Sequence, residues 1–185
     1  MGSLMKINSL SVVCLLALLA LPARGEVLDA AANGFTVQHS TLIAASRSEV
    51  YGAAVDKISQ WWSSDHTMSG IADNLYITPK PLGCFCERLG QHGGVVHMTV
   101  TFVNPGVILR FTGGLGPLGL MGVNGNMTWE FAEHEDGTQV TVSYAVGGYM
   151  DGGLDAIAAA VDGVLIEQFT RLRNLVETDE NQNKL

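Results

Sequence analysis

Charge is scarce in this 185-residue sequence, and positive charge is scarcer still. Only 15% of the residues are charged, and 10 Lys and Arg face 18 Asp and Glu, a formal net charge of −8. No cluster of Lys or Arg interrupts that acidic background. A phosphate backbone would be repelled, so nucleic acid is not an expected partner. Long apolar runs are missing too. The run at residues 12–21 is ten residues long, half of the about 20 needed to span a bilayer. There is no G-x-S-x-G and no ordered Ser/His/Asp set for a nucleophilic hydrolase. Internal repeats and interdomain linkers are also absent, so the length points to one domain with a sizeable core.

The short apolar run has a different explanation. Lys6 precedes it, and Pro22 with the small-x-small triplet Ala23-Arg24-Gly25 follows it. That is the order of a secretory signal peptide. We expect residues 1–25 to be a cleaved leader, residues 26–33 a linker, residues 34–178 the folded domain and residues 179–185 a polar tail. The mature protein is then exported, periplasmic or secreted, with no stable membrane span. Cys14 leaves with the leader, and Cys84 and Cys86 remain. An oxidising compartment permits a disulfide between them. Residues i and i+2 of a strand lie about 6.6 Å apart, however, at the edge of what a disulfide tolerates. Two free, buried thiols are expected.

Hydrophobic periodicity gives the element order. In "GFTVQHSTLIAA" the residues Phe35, Val37, His39, Thr41 and Ile43 alternate with polar neighbours, as in a half-buried strand. Ser46 with Glu49 three residues on makes a capping box for one or two short helices that end near residues 63–64. Residues 74–146 then read as short strands with tight turns, the Asp136-Gly137 pair marking a hairpin. Residues 154–178 carry an apolar stripe, Leu154, Ile157, Ala158, Val161, Leu165, Phe169, Leu172 and Val176, at the spacing of one long helix. The expected class is α+β, with a curved antiparallel sheet whose apolar face is covered by the C-terminal helix.

On this order the chain resembles the helix-grip fold of the SRPBCC superfamily, which includes START lipid-transfer domains, birch-pollen-allergen-like proteins and polyketide cyclases. It is most similar to activator-of-chaperone-ATPase homologue-like and polyketide cyclase-like members. The resemblance rests on "EVYGAAVDKISQWWS" after the first strand, a "GCFCE" strand, an E-x-x-D-G-T-x-V-T hairpin and "VLIEQFTRL" in the last helix. A leader is a departure from the cytosolic chaperone-activating branch. The resemblance implies a cavity between sheet and helix that takes a small hydrophobic molecule.

Candidate residues follow from that cavity. The large side chains expected to point into it are Trp61, Trp62, Met98, Phe102, Phe111, Leu118, Met127, Trp129, Tyr144, Leu165 and Phe169; each also suits plain core packing. Asp65 beside His66 suits a general base and equally a solvated loop, and with Tyr144 these are the weak catalytic candidates. Cys84, Cys86, His92 and His97 lack the C-x2-C spacing of structural zinc sites, and no metal or cofactor is expected. His97 and Arg110 read as outward-facing by alternation. "GLGPLG", residues 114–119, has the spacing of a dinucleotide loop, but a strand rather than a helix follows it, and Pro117 removes an N–H. A hydrophobic lid over the cavity is the expectation there. The sequence thus points first to an exported protein that holds a small hydrophobic ligand without covalent chemistry. Two alternatives are a cyclase- or lyase-type enzyme using the same cavity and a ligand-free protein-interaction domain.

Overall fold

The computed structural model describes residues 24–183, and the elements run in the expected order. Strands β1 (Arg24–Ala31) and β2 (Gly34–Ile43) lead into helices α1 (Arg47–Asp56) and α2 (Ile58–Trp61). Strands β3 (Leu75–Ile77), β4 (Cys84–Leu89), β5 (Gly93–Asn104), β6 (Ile108–Thr112), β7 (Gly122–His134) and β8 (Gly137–Tyr149) follow, and α3 (Asp155–Asn183) closes the chain. The eight strands form one sheet in the order β1-β2-β8-β7-β6-β5-β4-β3, antiparallel throughout. Helix α3 lies against its concave face, as the helix-grip fold requires.

Alternation decides the strands wherever no residue is inserted. In β2 the side chains Phe35, Val37, His39, Thr41 and Ile43 are buried and the residues between them are not. Val140, Val142, Tyr144 and Val146 of β8 do the same, facing Met127, Trp129 and Phe131 of β7. At the entrance to α1 the capping box is present: the Glu49 N–H donates to Ser46 Oγ, and the Ser46 N–H donates to the Glu49 carboxylate at 3.1 Å. These two bonds satisfy helix donors that would otherwise have no partner.

Several expectations need correction. The expected leader lies outside the described residues up to residue 23; its last two residues, Arg24 and Gly25, begin β1 and pair with Ser40 and His39. Residues 26–33 are not a linker: most of them belong to β1, which pairs with β2 around an irregularity at Leu28. As an edge strand exposed on both faces it shows no apolar alternation. The polar tail is helical as far as Asn183, beyond the apolar stripe, and Asp179 receives an ion pair from Lys57 at 2.7 Å. Cys84 and Cys86 are joined by a disulfide. Their Cα atoms are 5.4 Å apart, closer than in an extended strand, so the local contraction of β4 removes the geometric objection.

Strand β5 departs most from simple alternation. Its register against β4 slips between Phe85 and Cys86, leaving His97 as the extra residue. A second slip against β6 leaves Thr101 extra. Each β-bulge shifts the inward phase by one residue. His97 therefore turns inward and is buried beside Met98, while Val96 is 62% exposed. Phe102, expected inside, is 47% exposed and lies under the Arg110 guanidinium on the outer face. Arg110 itself is outward, as read. Among the described residues no helix is long and apolar enough to cross a membrane.

Candidate functional site

Between the sheet and α3 the packing changes along the helix. Towards its C-terminal half, Phe169 meets Trp61 and Trp129 with ring centroids 5.4 and 5.3 Å away, and Phe111 adds its ring 5.0 Å from Trp129. These rings fill the space completely: each is at most 1% exposed. About one to three turns earlier the helix presents Ile157, Ala160, Val161 and Val164, which are smaller. The sheet curves away from them, and a cavity of about 320 Å3 opens, at the small end of ligand pockets, ~300–1,000 Å3.

Four parts of the chain build its walls. Besides α3 these are the loop after α2 with Trp62, Asp65, His66 and Met68, His97 of β5 with Tyr144 of β8, and the turn at residues 115–121. Of the residues proposed from sequence as ligand-binding, Trp62, Leu118, Tyr144 and Leu165 line the cavity. Trp61, Met98, Phe111, Met127, Trp129 and Phe169 are packed in the core behind it, and Phe102 is on the other face of the sheet. The signal missed in the sequence was small side chains, Ala160 above all, at the helical positions where space is left. His97 was missed because nothing in the sequence announces a bulge.

The loop after α2 is tied down from both sides. The Trp62 indole N–H donates to the His66 carbonyl at 3.0 Å, and the Ser63 N–H donates to Gln168 Oε1 of α3 at 2.6 Å. Arg171 donates to the Trp61 carbonyl at 2.8 Å. Asp65 and His66 thus come to the cavity rim, where the His66 Nε2 stands 3.4 Å from Glu167 in an exposed pair. They are not within hydrogen-bond reach of Tyr144 as a set.

The "GLGPLG" stretch forms a 3-10 turn, Gly116–Leu120, between β6 and β7. Leu118 is buried on the cavity side, whereas Leu120 is 80% exposed. Tyr144 holds this turn: its hydroxyl accepts from the Leu115 N–H at 3.1 Å and donates to the Gly113 carbonyl at 3.0 Å. Burial pushes the phenol up to about 12, with the Leu115 N–H working weakly the other way. A phenol so engaged and so reluctant to ionise anchors the turn and is poorly suited to acid–base work. Gly113 is required where it stands. Its φ is +144°, and a Cβ there would lie 2.8 Å from the His97 carbonyl oxygen.

The strongest polar feature was not foreseen. Glu87 of β4 is buried, and its carboxylate accepts from the Met68 N–H at 2.9 Å, from the Ser69 N–H, and from His97 Nε2 at 2.9 Å. Burial raises the carboxyl's pKa, but hydrogen bonds from Ser69, Met68 and His97 outweigh it and hold the group below its ordinary value. Glu87 is therefore an anion, and an anion only accepts. That assigns the Nε2 proton to His97 and leaves its Nδ1, buried and without a partner among the described residues.

A larger concavity, about 520 Å3, lies elsewhere, over the β1–β2 edge and the ends of β7 and β8. It is an open groove lined by Asp29, Asn33, Thr36, Asn124 and Asn126 among others. Its open, polar form makes it the weaker candidate for an apolar ligand despite its size.

A curved antiparallel sheet gripping a long C-terminal helix over an internal cavity defines a helix-grip protein of the SRPBCC type. The chain belongs to the polyketide cyclase / dehydrase and lipid transport family, whose sequence profile matches residues 34–177. Solved structures share the fold. One, from Mesorhizobium loti, is 16% identical with a TM-score of 0.56, covering 77% of this chain and 97% of its own. Another, from Rhodobacter sphaeroides, is 15% identical with a TM-score of 0.56, covering 84% and 99%. DynU16, a protein of the dynemicin biosynthetic locus, is 18% identical with a TM-score of 0.55, covering 78% of this chain but 48% of its own. At these identities the likeness is one of fold. No curated protein matches the sequence. Family and fold together suggest ligand binding or cyclase-type activity.

Proposed function

We propose that this protein binds a small, largely apolar molecule in the cavity between the sheet and α3, and does so without covalent chemistry. The observation that carries the reading is the lining: Trp62, Leu115, Leu118, Ile157, Val161 and Val164 surround a space of about 320 Å3. Burying apolar ligand surface there is favourable by roughly 25 cal/mol per Å2. The partly exposed Met68 and Met121 extend the apolar character to the rim. The enzyme alternative is weaker on two counts. Tyr144 is occupied as an anchor, and Asp65 and His66 stand at the rim and not inside.

We also propose that binding takes place after export, the leader being residues 1–25. The disulfide between Cys84 and Cys86 supports an oxidising compartment. N-terminal sequencing of protein recovered from its own host tests this; a chain beginning at Met1 or Met5 sinks it. Native mass spectrometry of the same material tests the binding. A co-purifying apolar molecule is expected. Empty spectra, together with no thermal shift from a lipid and polyketide library, would overturn it.

A further inference from the structure

The cavity contains one polar element that apolar binding alone does not use. His97 is 5% exposed, lies on a bulge that turns it inward, and lines the cavity with Tyr144 and Trp62. One edge of its ring is fixed, because Nε2 donates to Glu87. The carboxylate is in turn fixed by the Met68 and Ser69 N–H groups, which belong to the loop forming the opposite rim. Phe85 packs edge-on against the ring, with centroids 5.6 Å apart, and limits its rotation. In the neutral imidazole, with the Nε2 proton so assigned, Nδ1 carries a lone pair. A buried acceptor without a partner is costly, and such groups are rare unless something satisfies them.

We propose that His97, held by Glu87, is the polar anchor of the cavity and that its Nδ1 accepts a hydrogen bond from a hydroxyl group on the ligand. The ligand class is then an apolar, ring-sized molecule with a phenolic or comparable hydroxyl, in preference to a hydrocarbon or an ether of the same shape. Glu87 is a positioning residue: it does not touch the ligand but fixes which nitrogen accepts. Nδ1 is shielded from bulk solvent, so the wall beside it must yield to admit the hydroxyl. This inference rests on the binding reading above and adds the chemistry of the ligand to it.

The test uses naphthol and methoxynaphthalene, which share a ring system and differ in the hydroxyl. Titrated into the native protein, naphthol is expected to bind about tenfold more tightly, the scale of one buried hydrogen bond left unmade. His97→Gln keeps an N–H donor towards Glu87 and removes Nδ1. The ratio of the two affinities should fall towards one. Equal affinity of the two probes for the native protein overturns the anchor and leaves the apolar cavity standing. Failure of both to bind overturns the binding reading itself, and the anchor with it. Should His97→Gln not fold, nitrogen NMR of the native protein decides. Naphthol must move the His97 Nδ1 resonance and the ether must not; an unmoved resonance refutes the proposal. For Glu87, the expected signature is a shift of the imidazole away from the Nε2-protonated tautomer in Glu87→Gln, and an unchanged tautomer refutes its positioning role.

Discussion

Removing one oxygen from Tyr144 is the sharpest perturbation the structure offers. Tyr144→Phe leaves the ring, which is fully buried, in the same volume. What disappears is the hydroxyl that accepts from Leu115 and donates to Gly113. The Gly113 carbonyl keeps a second partner, since it also accepts from the Gly125 N–H at 3.1 Å. The Leu115 N–H has no such reserve among the described bonds. The cost is therefore one net hydrogen bond, about 1 kcal/mol, plus desolvation of one orphaned donor, for a total of roughly 2 kcal/mol. In a domain of this size that corresponds to a fall in Tm of roughly 4–8 °C. Urea unfolding should show a lower midpoint with the slope unchanged, and hydrogen exchange should show the Leu115 amide losing protection. The pH dependence supplies the control. A folded pKa raised to about 12 means that the native state holds this proton more tightly than the unfolded chain, where the phenol titrates near ~10. The associated stability is complete below ~10 and is lost as pH rises through about 12, so the gap between native protein and variant should narrow over that interval. A Tm within 1 °C of native, estimated as below ~0.5 kcal/mol, with Leu115 protection intact, would refute the anchor.

Three further perturbations probe neighbouring parts. Glu87→Ala strands the Met68, Ser69 and His97 donors inside the fold and should cost at least about 3 kcal/mol in denaturant unfolding at neutral pH. Because the folded carboxyl titrates low, its contribution is present above the unfolded value of ~4.3 and lost as pH falls through the lower folded value. Glu87→Gln should therefore flatten the acid limb of the stability curve, and an unaltered limb would show that the group is not ionised. Gly113→Ala sets a Cβ 2.8 Å from the His97 carbonyl oxygen at a φ that side chains avoid, and a loss of about 1–3 kcal/mol in thermal unfolding is expected. Ala160→Phe adds a ring at the exposed mouth of the cavity, and should weaken the binding of apolar probes with Tm unchanged. Undiminished probe binding would move the site elsewhere.

The sequence made the layout readable wherever pattern and burial coincide. Strands β2, β7 and β8 have uninterrupted alternation over long spans, so their inward residues follow directly from the string of letters. The capping box at Ser46 and the stripe from Leu154 to Val176 are equally local signals. Strand β1 was illegible for the opposite reason: as an exposed edge it buries almost nothing, and a strand without a buried face carries no periodic mark. The helix beyond residue 178 is similar: no apolar stripe marks it, and the contact that ties it to the rest of the fold is the Lys57–Asp179 pair.

The cavity was only partly legible, because a cavity is defined by what fails to fill space. The eleven side chains named for it were chosen for size and aromaticity, and large aromatic side chains are the ones that close a core. Trp61, Trp129 and Phe169 mark where the cavity ends. Ala160, Val161 and Val164 mark where it begins, and small residues on a helix attract no notice in a sequence. The functional polarity followed a different rule again. Period-two alternation assigns His97 to solvent, and a single inserted residue reverses that assignment and brings an imidazole, already engaged by a buried carboxylate, to the cavity wall. A bulge interrupts a ladder that would be more regular without it. That it falls at the one histidine whose other nitrogen finds Glu87, and that Gly113 admits its backbone at close range, argues that the irregularity in β5 belongs to the site and not to the packing of the sheet.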